Sequence, residues 1–178
     1  MKVLQVLPAM QGGGVERGTV EVATYLTQKN IENIVVSAGG RLVPELERIG
    51  VRHLTLDVGS KNPIKFFFNI RSFRRLIKQE NITIVHARSR VPAWVAYFAL
   101  KKCPEVHFIT TFHGKYGTSP EWLKIKYNRV ILCADCDFYN MGRTALPQSR
   151  VFYPYADYML SVIKGKTLIN PEKQFKEN

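Results

Sequence analysis

The stretch Lys2-Val3-Leu4-Gln5-Val6-Leu7-Pro8-Ala9-Met10-Gln11-Gly12-Gly13-Gly14-Val15-Glu16-Arg17 joins a short apolar run to three glycines and the start of an amphipathic segment. Residues 3–7 are short enough, and rich enough in branched apolar side chains, for a buried strand. From residue 15 to 28 the spacing turns helical: Val15, Thr19, Val22, Ala23 and Leu26 share a face, and Glu16, Arg17 and Glu21 can meet water. A strand that runs through glycines into a helix opens a βα unit, and the rest of the chain follows suit.

Further strand-like runs fall at 34–37, 53–56, 82–86 and 107–111, separated by helical spacing at 43–49, 64–79, 92–101 and 120–132. Strands alternating with helices pair in parallel through right-handed crossovers, and strands without a polar face need cover on both sides. The expected fold is therefore α/β: a doubly wound, mostly parallel Rossmann-like sheet with helices on both faces. In such sheets ligands lie at the carboxyl ends of the strands, which directs attention to the loops after Leu7, Ser37, Leu56, His86 and Thr111.

The chain has 178 residues, 46% hydrophobic and 22% charged, a size suited to one domain with a sizeable core. No apolar run approaches the roughly 18 residues of a membrane span, and the amino terminus shows no clear small-residue cleavage site. Cys103, Cys133 and Cys136 are too few and too uneven in number for a disulfide framework, so a reducing, cytoplasmic location is expected. A net charge of +12, from 26 Lys plus Arg against 14 Asp plus Glu, favours anionic partners. Phosphorylated sugars, acidic headgroups and nucleic acid all qualify on charge alone.

Gly12, Gly13 and Gly14 lie where a helix start offers backbone N–H groups to an anion, with Arg17 one turn on; a tight turn with no ligand is the plain alternative. The run is not a dinucleotide fingerprint, because Arg17 stands where its last glycine is needed and the second strand ends in Ser37 instead of an acid. Arg88 and Arg90, in His86-Ala87-Arg88-Ser89-Arg90, close another strand in the same cleft as candidate binders of an acceptor or other anion, against the alternative of two solvated arginines. His113, beyond a central strand and before Gly114, can donate to a phosphate or a sugar hydroxyl, or simply pack. Gly165-Lys166-Thr167 lacks the earlier glycine and strand of a phosphate loop, and the Cys133/Cys136 pair lacks a second pair for zinc. No metal ligand cluster and no cofactor are expected.

Residues 60–79 carry Lys61, Lys65, Arg71, Arg74, Arg75 and Lys78 with no acidic residue. On a helix, Phe66, Ile70, Phe73 and Ile77 form an inward stripe, and the adjacent face presents Lys65, Phe67, Arg71, Arg74 and Lys78. Such a face suits an anionic membrane surface, or else it is an ordinary solvated basic face. A nucleic-acid partner is not expected, since no basic region interleaved with stacking aromatics is present.

With these residues in view, LPAMQGGGVERGTVEVA (7–23), VVSAGGRLVPELE (35–47), VGSKNPIKFFFNI (58–70), IVHARSRVPAW (84–94) and TTFHGKYG (110–117) resemble family 4 glycosyltransferases, in family order. The resemblance implies one half of a GT-B fold, the amino-terminal acceptor-side domain of a retaining enzyme. Such an enzyme moves a sugar from a nucleotide-diphosphate donor to a cell-envelope glycan or lipid-linked acceptor. It implies that Gly13 and Gly14 approach the donor diphosphate and that His113 sits near the transferring sugar, as the catalytic residue.

The family's donor-binding second domain carries two spaced glutamates and a basic pair, and the chain contains neither. The expected organisation is a domain over residues 1–133 and an atypical tail over 134–178, foreign or out of frame in part. Transfer by the chain alone is then not expected. A non-catalytic acceptor- or anion-binding module is the alternative, and a nucleic-acid binder the more distant one. The expected location is cytoplasmic, peripheral on the inner face of the membrane.

Overall fold

In the computed structural model, residues 1–112 and 130–134 are described, with the backbone alone for 111–112 and 130–134. The elements run β1 (Lys2–Val6), α1 (Gly14–Gln28), β2 (Glu32–Ser37), α2 (Val43–Arg48), β3 (Arg52–Thr55), α3 (Pro63–Gln79), β4 (Ile84–Ala87), α4 (Arg90–Leu100), β5 (His107–Phe112) and β6 (Val130–Ala134). They build one six-stranded sheet in the order β3-β2-β1-β4-β5-β6. Every pairing is parallel. The order reverses between β1 and β4, so the crevice of this doubly wound sheet opens between the loops that follow those two strands.

The strands divide their side chains between two cores, as a two-residue period requires. Leu4, Val6, Ile34, Val36, Val85 and Ala87 pack with Phe73 and Ile77 of α3 and Val95, Ala96 and Ala99 of α4. Val35 turns the other way, into a smaller cluster with Ala23 of α1 and Leu46 of α2. The inward stripe expected on α3 is present: Phe73 and Ile77 are buried, and Phe66 and Ile70 pack at the margin.

Local chemistry fixes the helix boundaries. Asn62 caps α3, its Oδ1 accepting from the N–H groups of Ile64 at 2.9 Å and Lys65 at 3.2 Å, with Pro63 in the first turn, where it loses no intrahelical hydrogen bond. α4 starts at Arg90, two residues before the expected start, because Pro92 is equally at home in a first turn. One boundary is corrected: of the helix expected over 120–132, residues 120–129 lie outside the described residues, and 130–132 belong to the strand β6 (Val130–Ala134). A short apolar run does not distinguish a buried strand from a helical segment; here the free edge of β5 decides, pairing Phe108 with Val130 and Phe112 with Ala134.

At the amino ends of the strands a polar cluster closes the sheet. Glu80 accepts from Lys2 at 3.0 Å and from Arg52 at 2.6 Å, and Lys2 also lies 3.4 Å from Glu32. The opposite edge is left to the glycine loops.

Candidate functional site

The loop after β1 is built as an extension of the sheet. Leu7 N–H donates to the Val36 carbonyl and Ala38 N–H to Pro8; Met10 N–H donates to Gly39 and Leu42 N–H to Met10. The chain therefore enters the glycine run already anchored to the loop after β2. Gly40 is required by this closeness: its φ is +148°, and a Cβ there would lie 2.5 Å from the Met10 carbonyl. Gly59, after β3, approaches Pro8 so closely that a Cβ would meet the ring at 2.8 Å. Three successive βα loops thus lock together beneath the start of α1.

Gly12 takes φ +143°, a conformation that favours glycine, and Gly13 stands at the N-cap of α1 with extended backbone. No side chain caps this helix, so its first N–H donors and the positive end of its dipole are presented at the cleft. Gly14 is the first helical residue. Two charged side chains lie against the run. The guanidinium of Arg41 donates to the Gln11 carbonyl and covers Gly12, with Nη2 2.5 Å from the position of a Cβ on Gly12. The carboxylate of Glu16 folds back over Gly13, its Oε2 2.6 Å from the corresponding position.

Arg88 is not a surface arginine. It is 2% exposed, its N–H donates to Val6, and its Nη1 donates to Gln5 Oε1 at 3.3 Å. Gln5 in turn donates from Nε2 to the Thr19 carbonyl of α1 at 3.3 Å. The guanidinium therefore sits between β1 and α1, in the crevice where the strand order reverses. Its charge also acts on α1: partial burial raises the Glu21 carboxyl above the ordinary carboxylate value, and the positive charges of Arg88 and then Arg17 oppose that rise. Arg17 is exposed on α1, and Arg90 is exposed at the start of α4. The structure thus brings Gly12, Gly13, Gly14 and Arg17 beyond the carboxyl end of β1, with Arg88 on the loop after the neighbouring β4 and Arg90 at the start of α4. His113 lies outside the described residues.

A second buried contact supports the platform. Ser37 Oγ accepts from the Gly39 N–H at 3.0 Å and lies 2.8 Å from His53 Nε2 on the edge strand. Burial lowers the His53 pKa below its usual value, against a smaller opposing effect of Glu47.

Of the basic helix face, Lys65, Phe67, Arg71 and Lys78 are exposed on α3. Arg74 is placed differently: it is partly buried, donating from Nε to the Ala99 carbonyl at 3.1 Å and from Nη2 to Phe98 at 3.2 Å. Its charge serves the carboxyl end of α4, where unpaired carbonyls welcome a cation. Among the described residues no group of three or more His, Cys, Asp or Glu is placed to hold a metal, and no helix is long and apolar enough to cross a membrane.

Sequence reasoning missed Arg41 and Gln5. Gly39-Gly40-Arg41 directly follows a strand at the ligand edge, a signal equal in kind to the first glycine run. Nothing comparable marks Gln5, a lone polar residue inside an apolar strand, whose role depends on Arg88 across the sheet.

Comparison with known proteins bears on the family and the fold. The model of the family described as Glycosyltransferase Family 4 matches residues 12–139. Among solved structures, a glycosyltransferase from Rickettsia africae ESF-5 is similar over 96% of this chain, with 30% identity and a TM-score of 0.60. The lipopolysaccharide outer core galactosyltransferase WaaB, in its apo form, matches 62% of the chain at 16% identity and TM-score 0.53. MurG of Acinetobacter baumannii matches 70% at 14% identity and TM-score 0.52. These last two share the fold. The chain spans 51% of the Rickettsia protein and 32% and 38% of the other two. No curated protein matches it by sequence.

Proposed function

Since the chain belongs to glycosyltransferase family 4, we propose that it is the acceptor-side, Rossmann-like half of a retaining GT-B enzyme. The reaction is transfer of a sugar from a nucleotide-diphosphate donor to a glycan or lipid-linked acceptor of the cell envelope. The observation that carries this reading is the start of α1, without a side-chain cap and held by three interlocked loops, with the Arg41 guanidinium beside Gly12 and the Glu16 carboxylate beside Gly13.

In this reading the leaving diphosphate approaches Gly13 and Gly14, where backbone N–H groups, the helix dipole and nearby arginines oppose the charge that develops as the sugar–phosphate bond breaks. The donors are fixed before the substrate arrives, so little reorganisation is needed at the moment of transfer. Arg88, being buried, acts through its charge and through its hold on α1, while Arg17, Arg41 and Arg90 can reach an anion directly. His113 is assigned to the transferring sugar by resemblance. The nucleotide and most of the sugar are held by the second domain of such an enzyme, so residues 1–178 alone are not expected to turn over. The same reading puts the protein in the cytoplasm at the inner face of the membrane, with the basic side of α3 toward acidic lipid.

The test is complementation. The purified chain is incubated with nucleotide sugars, with and without a separately produced donor-binding domain of a family 4 enzyme. No transfer alone and transfer in the mixture is the expected result, with His113→Ala reducing the rate far more than Cys136→Ala. Multiple turnover by the chain alone, or equal effects of the two variants, contradicts the assignment.

A further inference from the structure

Helix α3 carries a second apolar stripe that faces away from the sheet. Ile64, Phe67 and Phe68 are 67%, 72% and 67% exposed and, with Met1, make up the exposed large hydrophobic residues among those described. The spacing 64, 67, 68 gathers all three on one side of the first turns. Their backing is firm: Asn62 caps the helix, and buried Asn69 donates to the Asp57 carbonyl at 2.6 Å. Phe66 meets Phe67 edge-on at 6.2 Å and Phe98 at 6.1 Å, and Phe98 stacks on Trp94 at 5.9 Å. The three side chains thus project from a packed aromatic layer that joins α3 to α4.

Lys61 precedes this group and Lys65 stands beside it, the latter 3.5 Å from the Asp57 carboxylate, while Arg71, Arg75 and Lys78 follow along α3; all five cations are exposed, and α3 itself contains no acidic residue. The positive rim calls for an anionic partner, while the apolar tips call for hydrocarbon at the same contact. A polynucleotide supplies charge and flat bases but no place for the branched side chain of Ile64. A bilayer with acidic headgroups supplies both requirements in the right order, charge outside and acyl chain within. We infer that Ile64, Phe67 and Phe68 insert into the acyl region of an acidic membrane while Lys61, Lys65, Arg71 and Arg75 engage its headgroups. This deepens, and rests on, the proposed membrane-side location: it adds insertion to electrostatic attraction, and it takes Arg74 out of the contact.

The experiment uses the whole chain and vesicles of phosphatidylcholine, either pure or with about one quarter phosphatidylglycerol, in a sedimentation assay. Wild type is expected to bind the acidic vesicles and not the neutral ones. Replacing the tips together (Ile64→Ser, Phe67→Ser, Phe68→Ser) is expected to weaken that binding at least about tenfold, since three apolar side chains lose their burial. Circular dichroism confirms that the variant is folded. A separate Phe67→Trp variant is expected to shift its emission to the blue and to be quenched by lipids brominated on the acyl chains, beyond the response of wild type. Unchanged vesicle binding by the triple variant, or no added quenching, overturns insertion and leaves electrostatic adsorption standing. Failure to bind either vesicle overturns both membrane statements without touching sugar transfer. Equal binding of a DNA duplex at the same salt, unaltered in the triple variant, reassigns the face to nucleic acid.

Discussion

Arg88 Nη1 lies 3.3 Å from Gln5 Oε1, joining the end of β4 to β1 inside the sheet. Because a guanidinium only donates, the Gln5 amide must turn its oxygen to Arg88 and its NH2 to the Thr19 carbonyl. One buried arginine thereby fixes the orientation of the side chain that ties α1 to the sheet. Arg88→Met leaves the Gln5 oxygen without that donor and is expected to cost about 1–3 kcal/mol in urea unfolding. It also removes a charge that lowers the Glu21 pKa, so carboxyl NMR should show Glu21 titrating higher than in wild type.

Gly40 and Gly50 both have positive φ, +148° and +76°, but only Gly40 lies against another backbone. Gly50→Ala meets nothing within 4 Å and should lose about 1 kcal/mol, the cost of a left-handed alanine. Gly40→Ala must also displace the Met10 carbonyl, so a larger loss, about 2–3 kcal/mol or more, is expected. Parallel denaturation curves for the two variants check the order.

The lowered His53 pKa gives stability a definite pH dependence. The unfolded chain takes up a proton near 6.5 and the folded chain only at lower pH, so protons favour unfolding in between. This contribution is complete above pH 6.5 and declines as pH falls toward the folded-state value. Urea midpoints measured from pH 8 to 5 should show the decline, and His53→Gln should flatten it.

Glu80 has the opposite kind of partner and a lower window. Hydrogen bonds from Arg52 and then Lys2 hold its carboxyl below the usual 4.5. The stabilisation is present above pH 4.5 and lost as pH falls through the folded-state value. Glu80→Gln should lessen the acid sensitivity below that point and leave the His53 region unchanged.

The sheet was legible because its strands are short apolar runs and its helices long amphipathic ones, two periods that do not mimic each other. Val130–Ala134 escaped because five apolar residues have no period to read, and only the β5 edge makes them a strand. The glycine run was legible as a local motif. Gly39-Gly40-Arg41 carried a signal of the same kind, but the contact of Arg41 with Gln11 was not legible, since thirty residues separate them and the pairing of the β1 and β2 loops brings them together. Arg74 and Arg88 show the same limit: a sequence shows a positive charge, but the carbonyls of α4 and the amide of Gln5 decide where it points.

The most direct test of the proposed site is a titration of the isotopically labelled chain with inorganic pyrophosphate, the group common to all nucleotide-diphosphate sugars, followed by amide NMR. The account predicts shifts centred on Gly13, Gly14 and Val15. Binding should weaken in Arg41→Gln and tighten about two- to fivefold in Glu16→Gln, which removes a negative charge from beside Gly13. Shifts confined to α3, or the same affinity in wild type and both variants, would contradict an anion site at the start of α1.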